Sequence, residues 1–455
     1  MAGHSVEHVD VAVFGAGSVG IAVAYYLSKV HGVRQLALID PRDPMSLTSA
    51  QSGENYRNWW PHRVMTAFTD HSTSLMEELD RSTGGRLNMT RGGYSLVTRR
   101  ERPQDLIEEL HRGYGDAPGR VRIRETEGDY EPPLRTPWDR APDGVDVLVD
   151  RALIRKSFPD YANDVATVIH IRRAGSISAQ QMGQAMLEHL RDQGVRVRRA
   201  QVMGIEGRSP FKLALSTTQG AQEMRADRIV NAAGPFVQDI ARMLGEELPV
   251  QCVYQQKISF EDRGGAISRH MPFTIDLDGQ QLAWSDEDRE LLASEPATRR
   301  LVEPMNGGIH CRPDGPVNGS WIKLGWAYNE TTSDPHGEEP IDPHFPDIVL
   351  RAASRLHPGL AQYIGRLPRG AHHYGGYYTM TPENWPLIGP MRTPGAFAAA
   401  ALSGYGSMAA CGTGSLCAAW VMDSTRPNYA SVLSSHRYAD PDLMQELIRA
   451  GKGSL

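Results

Sequence analysis

Near its start the chain reads Val11-Ala12-Val13-Phe14-Gly15-Ala16-Gly17-Ser18-Val19-Gly20, and this stretch decides the fold. Val11 to Phe14 form an apolar run with no polar face, the pattern of a strand buried inside a parallel sheet. A G-x-G-x-x-G turn follows at once, and residues 21–29 then read as a helix. Gly15 permits the tight turn, Gly17 lets the backbone approach a pyrophosphate, and Gly20 lets the helix close on the strand. The helix N-terminus, which includes Ser18, offers free N–H groups and a positive dipole end to phosphate. Residues 36–39 read as a second strand ending in Asp40, where an acidic side chain holds a dinucleotide ribose. Strand, glycine turn, helix, strand and acid together predict a nucleotide-binding α/β unit.

With 455 residues the chain is too long for one ordinary core, and two domains are expected. Hydrophobic residues at 40% and charged residues at 22% describe a soluble globular protein. The net charge of −6 argues against nucleic acid as the main partner. Cys252, Cys311, Cys411 and Cys417 are few and irregularly spaced, so neither a disulfide framework nor a metal site is expected. Residues 1–10 lack the basic and apolar regions of a signal segment. No apolar run nears the roughly 20 residues that a bilayer span needs. A cytoplasmic protein without a membrane span is the expectation.

Beyond Asp40 comes Thr48-Ser49-Ala50-Gln51-Ser52-Gly53-Glu54-Asn55-Tyr56-Arg57-Asn58-Trp59-Trp60, small polar residues closed by an arginine and two tryptophans. This segment is expected to wall the redox site. Residues 62–80 predict a helix, whereas 113–146, rich in Pro, Gly and charge, predict a surface excursion without regular structure. Ser178 reads as the N-cap of a helix over 180–193. Short strands are expected at 195–197 and 202–205. Residues 228–235 predict a strand ending in the small residues Ala232-Ala233-Gly234, which permit close approach to a ligand. From 250 the texture changes to strand-like segments at 253–260, 272–275, 308–311 and 321–326, with a charged helical insertion over 285–300. A strand over 396–401, the turn Ser403-Gly404-Tyr405-Gly406 and a helix over 409–422 then repeat the opening logic, as a second wall of the cofactor site.

In this order, the motifs at 15–40, 48–57, 230–234, 378–389 and 403–414 resemble those of the flavin-dependent D-amino-acid oxidase superfamily, in the branch of glycine oxidase and monomeric sarcosine oxidase. The resemblance implies FAD and an α/β + β fold. A Rossmann-like FAD-binding domain would be built from the discontinuous segments 1–62, 151–249 and 371–455, and a mixed or antiparallel-sheet substrate domain from 63–150 and 250–370. Implied cofactor contacts are Gly15, Gly17, Ser18, Gly20, Asp40, Thr48, Ser49, Ser52, Val202, Ala233, Gly234, Gly404, Gly406, Ser407 and Met408. The implied activity is oxidation of the C–N bond of an amine or N-substituted amino acid by hydride transfer to flavin N5, with O2 as acceptor giving H2O2. Such chemistry needs an aligned C–H bond and an unprotonated nitrogen more than a strong acid or base. One alternative is a dehydrogenase of the same fold, acting on an amine or 2-hydroxy acid and passing electrons to a quinone or carrier protein. Another is a flavin-binding assembly protein without turnover. The oligomeric state is not legible.

Individual residues carry over unevenly. Trp321-Ile322-Lys323-Leu324-Gly325-Trp326 resembles the strand that bears an oxygen-activating lysine in sarcosine oxidase, which makes Lys323 the candidate for the oxidative half-reaction. A cation at the flavin edge stabilises superoxide as it forms. Arg57 matches a basic residue facing the flavin or substrate. Gly376 stands where sarcosine oxidase has its flavin-linking cysteine, so noncovalent FAD is implied. Trp60 and Met408 replace the basic pair that clamps a small carboxylate, which would then be held elsewhere, by Arg312 or by His372-His373. Trp60, Cys311, Tyr374, Tyr378 and Met408, with Trp326 nearby, are the expected substrate wall, suited to a bulkier or more apolar substrate than sarcosine.

Overall fold

A computed structural model describes residues 6–115, 117–128, 130–134, 138–140, 142–296 and 298–450. The opening stretch folds as the sequence predicts. Glu7–Phe14 lies at the heart of an eight-stranded sheet, flanked in parallel by Leu36–Asp40 and Gly220–Asn231. Arg196–Arg199 extends the parallel run on one side and Ala396–Ala400 on the other. Every residue from Val11 to Phe14 is essentially inaccessible, which is why this strand carries no alternation.

Three helices seal one face of the sheet: Ser18–Lys29, Arg63–Ser82 and Gly406–Val421 share a single apolar core. The first and third touch backbone to backbone. A Cβ on Gly414 would sit 2.5 Å from the Ala22 carbonyl carbon, so glycine is required for that approach. Ser178 caps Ala179–Asp192 as expected, its hydroxyl accepting from Gln181 N.

The second sheet has nine strands, ordered from His372–Met380 through Gln251–Glu261, Trp321–Trp326, Ile309–Pro313, Phe273–Asp276, Tyr94–Thr98, Thr167–Ile171 and Val145–Leu148 to Val121–Arg124. It is mixed: the pairs Phe273–Asp276 with Tyr94–Thr98 and Val121–Arg124 with Val145–Leu148 are parallel. Helix Phe345–Leu356 packs on one face in a core of its own. Among the described residues no helix is long and apolar enough to cross a membrane.

Several expectations need correcting. Thr167–Ile171 and His372–Met380 fall in stretches assigned to the nucleotide part, yet both pair in the nine-stranded sheet. Arg63–Ser82, assigned to the other part, packs in the nucleotide core. The excursion at 113–146 contains the strand Val121–Arg124, although residues 116, 129, 135–137 and 141 lie outside the described residues. Its charges are internal partners, since Arg122 Nε and Arg124 Nε each reach Asp146 at 2.8 Å. The hairpin of Phe211–Thr217 and Gly220–Asn231 was not read from the sequence, although Phe211, Leu213 and Leu215 alternate with polar or small residues as a half-buried strand should.

Candidate active site

The glycine turn is held by contacts that only glycine allows. Gly15 has φ +103°, and a Cβ there would lie 2.2 Å from the Ala232 carbonyl oxygen. A Cβ on Gly20 would lie 1.8 Å from the Gly15 oxygen. Helix Ser18–Lys29 therefore starts flush against the strand ends. Its N-cap, Gly17, brings no side-chain cap, and the first turn holds no acid. Ser18 N donates to Ser49 Oγ at 3.0 Å, which draws the short 3-10 turn Thr48–Gln51 over the glycines.

Asp40 closes the same corner. Its Oδ2 accepts from Ala16 N and its Oδ1 from Arg42 N, both at 2.8 Å. A cavity of about 360 Å³ opens beside it, lined by Gly15, Asp40, Val202, Ala233 and Phe236 among others. Gly234 follows with φ +56°, opening the turn Gly234–Phe236. Arg42 stacks on the Phe236 ring at 4.7 Å. Asp40, Val202 and Ala233, more than 190 positions apart in the chain at their extremes (233 − 40 = 193), thus share one wall.

At the far end of the turn the two sheets meet. A small chamber of about 40 Å³ is lined by Ser52, Glu54, Tyr94, Lys257, Phe273, His310, Tyr378, Gly404, Tyr405, Ser407 and Met408. Ser52 Oγ and Ser407 Oγ lie 2.7 Å apart, which joins the 48–57 segment to the start of helix Gly406–Val421. That helix also begins without a side-chain cap or an acid. Gly404 accommodates the Tyr378 ring, which a Cβ would approach to 2.6 Å. The Met408 carbonyl accepts from Ser72 Oγ at 2.6 Å, which fixes the loop to helix Arg63–Ser82. Tyr378 and His310 also line a neighbouring cavity of about 620 Å³.

Strand alternation sorts the remaining residues. Lys323 pairs opposite Ser259 and Arg312, and Lys257 opposite Gly325 and Tyr374. All of these point to the chamber face. Cys311 does not: one position along from Arg312, it faces the core under helix Phe345–Leu356 at 2% exposure. It is removed from the substrate wall. Trp60 lies behind the wall, packed edge-on to Tyr405 at 4.8 Å. Arg57 is fully buried, its guanidinium 4.4 Å from the Trp60 ring and 4.8 Å from Tyr94. Trp326 is also core.

The chamber wall carries Lys257 and Glu54, and Lys323 reaches its edge at the Ser52 carbonyl. Lys323 Nζ lies 3.4 Å from the Ser52 carbonyl and 3.7 Å from Asp314 Oδ2. Burial, with Arg312 next, pushes its ammonium down to about 8. Burial and the neighbouring Lys257 push His310 down to about 4, so its imidazole is neutral at pH 7, and Nδ1 donates to the Gly308 carbonyl. Lys257, His310, Phe273 and Tyr94 were missed by sequence reasoning. Alternation through Tyr254-Gln255-Gln256-Lys257-Ile258-Ser259 marks Lys257 as sharing a face with Gln255 and Ser259, but burial of that face depends on pairing with strands far away in sequence.

A profile of the DAO family, described as FAD dependent oxidoreductase, matches residues 10–420. The chain belongs to this family. Human mitochondrial dimethylglycine dehydrogenase is 23% identical over 445 residues, 95% of this chain but 44% of that protein. The chain thus spans less than half the length of the curated relatives it matches. Among solved structures, L-proline dehydrogenase from P. horikoshii superposes with a TM-score of 0.71 at 16% identity, covering 96% of this chain and 99% of that one. Glycine oxidase from Geobacillus kaustophilus gives 0.69 at 17% identity, with 94% and 98% covered. Iminodiacetate oxidase from Chelativorans sp. gives 0.67 at 19% identity, with 93% and 98% covered.

The residues of this DAO-family protein fit FAD. Two uncapped helix N-termini suit its diphosphate and its flavin carbonyl end. Thr48 Oγ1 and the Tyr94 hydroxyl are buried without a hydrogen-bond partner, as groups awaiting a ligand would be. Asp40 sets its carboxylate between the turn and the 360 Å³ cavity, where a ribose hydroxyl would meet an acceptor. Asp40→Ala is expected to weaken FAD about tenfold or more, since a charged acceptor is lost. Fluorescence titration of the apoprotein with FAD checks this.

Proposed function

We propose that the protein oxidises the C–N bond of an amine or N-substituted amino acid with noncovalent FAD and uses O2 as the electron acceptor. The observation that carries the reading is the chamber itself: an aromatic cavity lined by Tyr94, Phe273, Tyr378 and Tyr405, with the Lys323 ammonium 3.4 Å from the carbonyl of Ser52 in its wall. When bound, FAD would supply the two-electron acceptor for the substrate's C–N oxidation and would pass both electrons to O2 to give H2O2. Tyr94, Phe273, Tyr378 and Met408 exclude water and align the C–H bond. The resulting imine is released to water and hydrolyses. His310, neutral by burial, adds no competing charge. Lys323 holds a positive charge where oxygen gains electrons.

Gly376 leaves no nucleophile for a flavin link at that position, where a Cβ would meet only Gln51 and Thr48 side-chain atoms at 3.4 Å or more. Acid precipitation is therefore expected to leave a colourless pellet and FAD in the supernatant; yellow retained in the pellet would refute noncovalent attachment.

Oxygen uptake tests the acceptor. A panel of N-methyl amino acids and amines is expected to give uptake with stoichiometric H2O2. The human relative is named a dehydrogenase, which favours a second reading with a carrier as acceptor. Turnover with an artificial dye but no oxygen uptake would select that reading.

A further inference from the structure

One buried cation in the chamber has no function in the scheme above. Lys257 sits mid-strand, opposite Gly325 on one side and Tyr374 on the other, at 6% exposure. Its Nζ contacts the Gln51 carbonyl at 3.4 Å and stands 5.6 Å from the Tyr378 ring. Among the described residues it has no carboxylate partner, and burial alone pushes its ammonium down to about 8. A buried charge left in that condition is costly unless something neutralises it.

The other basic groups nearby are engaged. Arg312 Nη2 reaches Asp314 at 2.8 Å and Glu54 at 3.7 Å. Lys323 shares Asp314. His373 bonds Gln256 and stacks on Phe345, away from the chamber, while His372 stacks on Trp321. Arg312 already balances two carboxylates, and neither histidine lines the chamber. Lys257, Tyr94, Phe273 and Tyr378 line the same chamber.

We propose that Lys257 binds a carboxylate of the substrate, which makes the substrate an amino acid or N-substituted amino acid rather than a simple amine. The substrate class rests on the C–N oxidation reading; the anion site does not. Charge pairing supplies the affinity, and the aromatic rings around it accept the substrate's apolar part.

The test uses purified holoenzyme and a binding readout, the change in visible flavin absorbance on titration with phenylacetate or with its neutral analogue phenylacetamide. Loss of one charged hydrogen bond predicts that Lys257→Met and Lys257→Gln bind phenylacetate about tenfold or more weakly, with phenylacetamide unchanged and FAD content intact. Lys257→Arg is expected to restore much of the affinity. Equal phenylacetate binding by all variants, parallel loss of both ligands, or no phenylacetate binding by the wild type would overturn the proposal. A changed flavin spectrum in the ligand-free variants without a changed preference between the two ligands would also overturn it, and would place Lys257 on the cofactor. If no amine or amino acid bleaches the flavin yet phenylacetate still depends on Lys257, the redox reading falls and the anion site stands.

Discussion

Replacing Lys323 by Met is expected to slow reoxidation of the reduced enzyme by O2 about 100-fold, the scale of one lost oxyanion-stabilising group. Anaerobic reduction by substrate should be nearly unchanged, because nothing in the hydride step uses the lysine. Lys323 is suited to this role by its setting. Its side chain is 12% exposed, and Asp314 at 3.7 Å, which it shares with Arg312, favours its charged form. The depressed ammonium adds a pH signature. Below about 8 the lysine is charged and reoxidation is fast; as pH rises through about 8 the proton leaves and the rate falls. Stopped-flow mixing of reduced enzyme with oxygen across this range should show the fall in the wild type and a flat profile in Lys323→Met. The same depression from 10.5 makes the folded state bind fewer protons than the unfolded chain between about 8 and 10.5, so this group's contribution to stability rises with pH there.

Arg437→Met is expected to destabilise the fold by about 3–5 kcal/mol, the cost of leaving one member of a buried ion pair alone. Arg437 and Glu383 are 0% and 2% exposed in their side chains. Arg437 Nε donates to Glu383 Oε1 at 2.8 Å and Nη1 to the Pro386 carbonyl at 2.6 Å, and the Tyr438 hydroxyl donates to the same carboxylate oxygen at 2.9 Å. The pair ties the C-terminal segment to the turn that follows His372–Met380. Tyr405, a chamber residue, donates to the Asn384 carbonyl in that turn. Thermal unfolding should therefore shift down by several degrees, and Arg437→Met combined with Glu383→Leu should recover much of the loss. An unshifted transition in the single variant would show that the pair contributes nothing.

The nucleotide end of the molecule was legible because its signals are local. Gly15, Gly17, Gly20 and Asp40 fall within one strand-turn-helix-strand unit, and Ser178 lies beside the helix it caps. Gly404 to Met408 likewise lie in one strand-turn-helix unit, built from Ala396–Ala400 and Gly406–Val421. The chamber was less legible because its walls come from strands paired across the chain. Thr167–Ile171 looks like any buried strand until Tyr94–Thr98 and Val145–Leu148 flank it. Cys311 was misplaced because a single position along a strand changes the face, so a residue name without its register says little. Lys257 was overlooked for a related reason: a lysine in a sequence reads as solvated, and only pairing on both sides shows it to be enclosed.

The central claim, C–N oxidation by bound FAD, is tested most directly by anaerobic titration of the yellow holoenzyme with N-alkyl amino acids and amines while the flavin absorbance is followed. The expected result is complete bleaching by at least one N-alkyl amino acid at one equivalent per flavin, with the colour restored on admitting air. A flavin left fully oxidised by every amine and amino acid but bleached by a 2-hydroxy acid would contradict it.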